Sequence, residues 1–302
     1  MAELDLTPHD DPEQETPERQ KVAQRSTLVS VLVNLVLTTV QVLVGVLAHS
    51  QALVADGIHS LSDLVADFVV LFANKHSHKE ADEDHHYGHH RYETAASLVL
   101  GVLLLSVGVG MLWSAVHKLS DPDLIPKVKS VALWVALVAL ASKEILFRYM
   151  LAAAERVRSS MLVANAWHAR SDAASSLVVA LGIIGNLMGF PLLDPVAALI
   201  VGLMVTKMGW EFGWDALNDL MDRSASEEQI EEIIATLKAT PGVHGVHDVR
   251  TRKMGDMIMV DAHLEVDGNL TVRHGHDIAV QARERVVQKL PVLDVMVHLD
   301  PV

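Results

Sequence analysis

The chain has 302 residues, 50% of them hydrophobic, only 4% aromatic and none of them cysteine. That composition excludes disulfides and thiolate metal sites, and its surplus of Val, Leu and Ala in blocks is that of helices meeting lipid rather than water. A formal net charge of −14 argues against nucleic acid as a partner.

Met1–Glu18 is polar, acidic and Pro-containing, without the cationic start and apolar core of a signal peptide, so residues 1–26 read as a disordered cytoplasmic tail. Six apolar stretches follow: Thr27–Leu47, Ala52–Ala73, Thr94–Val116, Val131–Phe147, Met161–Leu187 and Leu193–Trp214. Each is near the roughly 20 residues that cross a bilayer core, which makes 27–214 a six-helix transmembrane domain. Lys and Arg set its orientation. Arg19, Lys21 and Arg25 precede the first span, Lys75, Lys79 and Arg91 follow the second, and Arg148, Arg156 and Arg158 link the fourth to the fifth. The loops at 48–51 and 188–192 carry neither residue, while Lys118, Lys127 and Lys129 are exceptions. On balance both termini lie in the cytoplasm, and the membrane of a bacterium-like chain is the inner membrane.

Residues 215–302 read as a small cytoplasmic domain, with the change of character clearest from Arg223. Ser226 can cap a helix in which Ile230, Ile233, Ile234 and Leu237 recur at helical spacing, ended by Pro241-Gly242. Strands are predicted at Val246–Arg252 and Met257–Val266, a helix at Val272–Leu290 and a last strand at Asp294–Leu299. This αββαβ order predicts an α+β domain, an open sheet with helices on one face.

The chemistry sits inside the apolar blocks. The second holds Asp56, His59, Asp63 and Asp67, and the fifth holds His168 and Asp172. Ionisable groups at membrane depth cost several kcal/mol each on insertion scales, so they are rarely incidental. His59 and Asp63, four apart, share one helix face, and His168 and Asp172 repeat the spacing. Two facing pairs give an N₂O₂ set suited to tetrahedral Zn²⁺, and two carboxylates cancel the ion's charge. The bland reading is interhelical hydrogen bonding. For Asp56 and Asp67, which have no repeat in the fifth block, it stands level with a supporting role at the site.

The runs Ala55-Asp56-Gly57-Ile58-His59-Ser60-Leu61-Ser62-Asp63 and Trp167-His168-Ala169-Arg170-Ser171-Asp172 resemble the transport-site signatures of the cation diffusion facilitators. So do Tyr87-Gly88-His89-His90-Arg91-Tyr92-Glu93 and His298-Leu299-Asp300-Pro301. The resemblance runs from the first apolar helix to the C-terminus. It implies a homodimer that exports a divalent metal ion in exchange for protons by alternating access, with His59, Asp63, His168 and Asp172 as the transport site.

The same resemblance places a second metal site at Asp82, His85 and His89, where Gly88 lets the backbone turn. A solvated His-rich loop is the plain alternative, and His76, His78, His86 and His90 read as that background. A third site, in the cytoplasmic domain, falls on His247, His263, His298 and Asp300 with His276 nearby. Strand alternation supports it, since His263 lies opposite Ile258, Val260, Ala262 and Leu264, and His298 and Asp300 share a face. Arg91 and Asp222 match positions that form an ion pair in the family.

Exporters of this kind often carry Asp where His59 stands. Imidazole there shifts the preference toward Zn²⁺ and away from harder ions such as Mn²⁺, with Fe²⁺, Co²⁺ and Cd²⁺ still open. The expected function is therefore a Zn²⁺/H⁺ antiporter. The alternative is a membrane-anchored metal sensor or scaffold, which leaves the buried pairs unexplained. A metal-dependent hydrolase lacks both His-Glu-x-x-His and a general base beside an open metal position, so no enzyme is expected.

Overall fold

The computed structural model describes residues 17–302 apart from 78, 80, 122–124 and 157–159, so most of the acidic tail lies outside the described residues. Six long helices come first: α1 (Pro17–Leu47), α2 (Gln51–Ser77), α3 (Arg91–Ser120), α4 (Val131–Arg156), α5 (Ser160–Leu187) and α6 (Leu193–Leu220). Then follow α7 (Glu227–Lys238), β1 (Gly245–Met254), β2 (Met257–Val266), α8 (Val272–Lys289) and β3 (Val292–Pro301). Residues 17–26, read above as tail, are the start of α1, and α6 runs past the boundary drawn at 214. Contacts divide the chain into two compact units, one comprising residues up to Ala66 with Leu104–Lys207, the other Asp67–Leu103 with Met208–Val302.

The first unit turns large apolar side chains outward and buries a set of polar ones. Leu28, Val36, Leu43, Trp113, Trp134 and Leu181 are exposed, while Gln41, Asp56, His59, Lys143 and Ser176 are buried. Lipid, not water, makes that arrangement favourable. Among the described residues, three helical segments are long and apolar enough to cross a membrane by themselves: Leu28–Leu47, Arg91–Ser120 and Leu193–Leu220. The other three helices, α2, α4 and α5, are the ones that carry Asp56, Lys143 and Asp172.

Small residues let the helices approach. The core includes Ala48, Ala52, Ala55, Ala132, Ala136 and Ala197 around Leu53, Val179 and Ile183, as expected where packing rather than hydrophobicity joins helices. A Cβ at Gly45 would stand 2.7 Å from Val54 Cγ2, and one at Gly57 2.7 Å from Val42 Cγ2, so α1 and α2 close to backbone contact.

One end of this unit is fastened by Asp194 in the first turn of α6. Its carboxylate accepts hydrogen bonds from Ser50 Oγ (2.6 Å) and from the Gln51 N–H (2.7 Å), capping the start of α2. The short loop at 48–51 is therefore joined to the start of α6. Lys129, an exception to the charge rule, donates to the Leu47 carbonyl at 2.8 Å.

The second unit contains the αββαβ domain. Its sheet has the order β1-β2-β3, with β1 antiparallel and β3 parallel to β2. Ile233 and Leu237 of α7 and Ala282 and Val286 of α8 bury the face formed by Ile258, Val260, Ala262 and Leu264. A capping box between Ser226 and Gln229 starts α7. The other face of the sheet is left for polar side chains.

Candidate metal centres

In the first unit, the helical repeat stacks His59 over Asp63, with Nδ1 3.6 Å from Oδ2. Asp172 of α5 joins them, and the three offer ligand atoms within 4.8 Å of one another. His168 lies one turn before Asp172 on α5, and its side chain, like that of Asp67, is outside the described residues. A tetrahedral ion at about 2 Å from each ligand holds them about 3.3 Å apart, so those atoms must draw closer by up to about 1.5 Å. His59 is buried and Asp63 nearly so.

Directly beside this cluster is a polar network that sequence reasoning only partly found. Asp56 is fully buried and accepts from Gln41 Nε2 of α1 and, at 2.7 Å, from Ser176 Oγ of α5. Lys143 of α4, also buried, places Nζ 3.4 Å from Asp56 Oδ1, 2.8 Å from Ser176 Oγ and 3.4 Å from the Asp172 carbonyl. Ser175 Oγ lies 2.7 Å from the same carbonyl and 3.1 Å from Asp56 Oδ1. The signal available in the sequence was a lysine inside an apolar block.

The second unit brings together the loop residues. Asp82 Oδ1 is 3.2 Å from His85 Nδ1, and Oδ2 is 3.4 Å from His89 Nε2. Gly88, at φ 78°, makes the turn that returns His89 to Asp82. The Lys79 ammonium, 2.6 Å from Oδ2, together with bonds from His85 holds the Asp82 carboxyl well below the usual range.

The open face of the sheet carries the third cluster. Strand register sets His247 beside His263 and His263 beside His298. Asp300 Oδ2 is 2.9 Å from His263 Nδ1 and 3.2 Å from His247 Nε2, and Oδ1 is 3.2 Å from His298 Nε2. The hydrogen bond from His263, with the neighbouring imidazoles, lowers the Asp300 pKa. Asp248 and Glu265 also approach His247, at 3.5 and 3.8 Å. His276 is exposed on α8 and lies outside the metal-ligand clusters found among the described residues. Arg91 pairs with Asp222 as expected, and its Nη1 reaches the Leu220 carbonyl at 3.3 Å.

A lipid-facing helical bundle with a buried His/Asp cluster, followed by a soluble domain with another, defines a membrane protein that handles metal ions. The chain belongs to the cation diffusion facilitators, since the family described as "Cation efflux transmembrane domain" matches residues 27–221 and "Cation efflux protein, cytoplasmic domain" matches 225–302. It is 32% identical over 292 residues to the manganese efflux system protein MneP of Bacillus subtilis, covering 94% of this chain and 98% of that one. It is 34% identical over 276 residues to the magnetosome protein MamB of Magnetospira sp. strain QH-2, covering 89% and 92%. Against metal tolerance protein C1 of Arabidopsis thaliana the identity is 33% over 280 residues, 88% of this chain and 59% of that longer relative. The metal-bound C-terminal domain of the CzcD transporter from Thermotoga maritima aligns over 24% of this chain and 87% of its own, at 31% identity and a TM-score of 0.24. The chain is thus a divalent metal cation efflux transporter.

Proposed function

We propose that the transported ion is Zn²⁺, bound by His59, Asp63, His168 and Asp172 and exchanged for protons. The observation that carries this is the convergence of His59, Asp63 and Asp172 within 4.8 Å, with His168 one turn from Asp172. Two imidazoles and two carboxylates suit Zn²⁺, and with the ion bound the set is electrically neutral. Imidazole binds metal only when neutral and carboxylate only when ionised, so metal and protons compete for one site. Protons entering from outside displace the ion, and the ion entering from the cytoplasm displaces protons. Rocking of the helices between the two openings completes the cycle. The loop and sheet clusters, on this reading, bind further ions in the cytoplasm, and the sheet cluster joins two copies of the chain in a homodimer. Both termini face the cytoplasm and the chain sits in the inner membrane.

The experiment is uptake of radioactive zinc into proteoliposomes with and without an imposed pH gradient. Uptake that rises with the gradient supports antiport, and flux indifferent to it refutes that part. Mn²⁺ is the second reading, favoured by the similarity to a relative named for manganese efflux. Side-by-side flux of both ions decides between them.

A further inference from the structure

We propose that Lys143 is a positioning and selectivity residue of the transport site: its ammonium withholds Asp56 from the ion, so that the ion meets two carboxylates rather than three. This rests on the transport-site reading above.

Asp56 stands one turn from His59 on α2, on the face that also presents Asp63. It is fully buried, which leaves its charge dependent on protein partners. Lys143, Gln41, Ser175 and Ser176 supply them, and among the described residues it is the lysine that supplies opposite charge. Lys143 also bonds the Asp172 carbonyl and Ser176, so one side chain of α4 grips α2 and α5 beside the two carboxylates the ion uses. Charges then balance in two closed sets: Asp63 and Asp172 with a divalent ion, Asp56 with Lys143. Loss of the lysine charge leaves a buried carboxylate whose nearest source of positive charge is the ion itself. A third carboxylate makes the donor set harder, favouring Mn²⁺ relative to Zn²⁺.

The test compares KM values for Zn²⁺ and Mn²⁺ flux in proteoliposomes of the full chain, for the native protein, Lys143→Met, Lys143→Gln and the double variant Asp56→Asn/Lys143→Met. General damage to packing weakens both ions alike and leaves their ratio unmoved. The expected result is a loss of zinc preference of about tenfold or more in the single variants, the scale of residues that support metal ligands. The double variant returns the ratio to native. Lys143→Gln keeps an amide donor for Ser176, so it carries the test where Lys143→Met fails to fold. An unchanged ratio in the single variants, or an equal loss in the double variant, overturns the proposal. Zinc flux absent from the native chain overturns the zinc reading instead, and the ratio of Mn²⁺ to the softer Cd²⁺ then carries the test of Lys143.

Discussion

Asp194 offers a perturbation whose size follows from its contacts. Its carboxylate sits at the start of two helices, in the first turn of α6 and over the first N–H groups of α2. Negative charge is favoured at both ends by the exposed N–H dipoles. Asp194→Ala removes two well-formed bonds to a charged acceptor, from Ser50 Oγ at 2.6 Å and the Gln51 N–H at 2.7 Å. Such bonds contribute about 1.5–3 kcal/mol each, and because Asp194 and Ser50 are buried, so that the lost solvation of the carboxylate offsets part of the gain, the lower end applies, about 3 kcal/mol in all. On a scale of about 2–4 °C per kcal/mol, the unfolding midpoint falls by about 6–12 °C. Tryptophan fluorescence of the purified chain in detergent during a thermal ramp measures it. A midpoint within about 1 °C of native would refute the claim that this carboxylate fastens α6 to the start of α2.

Three further outcomes are expected. Lys79 competes with any cation for Asp82, so Lys79→Ala tightens metal binding at the loop by roughly tenfold in calorimetry, the scale of a neighbouring group that supports a ligand. Because the Asp82 pKa is lowered, chiefly by the Lys79 hydrogen bond, its carboxylate contribution is present above the ordinary carboxyl range and is lost only as pH falls through the depressed folded value. Asp300→Asn, which removes the charged group shared by three imidazoles, lowers the number of tightly bound zinc ions per chain, whereas His276→Ala leaves it unchanged. Gly255→Val, at φ 68° with its Cβ only 2.7 Å from the His90 carbonyl oxygen, destabilises the β1–β2 turn by at least about 1–2 kcal/mol, seen in denaturant unfolding.

What was legible in the sequence was what depends on local periodicity. Four residues make a helical turn, so His59 and Asp63 were seen to share a face before any packing was known. Two residues make a strand repeat, which placed His263, His298 and Asp300 on the polar face of the sheet. What escaped depends on how elements turn against one another. His276 enters the expected cytoplasmic site through the family resemblance, and the rotation of α8 about its axis leaves it exposed, apart from the clusters of the described residues. Lys143 is visible as a lysine inside an apolar block, but only the approach of α4 to α2 and α5 reveals Asp56, Ser176 and the Asp172 carbonyl as its partners. The bond from Ser50 to Asp194 joins residues 144 apart in the chain and has no local pattern to announce it.

The most direct test of the central claim is Asp172→Asn, which keeps the shape of the side chain and removes its charge. Zinc uptake into proteoliposomes under a pH gradient should be abolished, while zinc binding by the sheet cluster of His247, His263, His298 and Asp300 persists. Uptake at the native rate in that variant would contradict the account, because the ion would then cross without the carboxylate that α5 contributes.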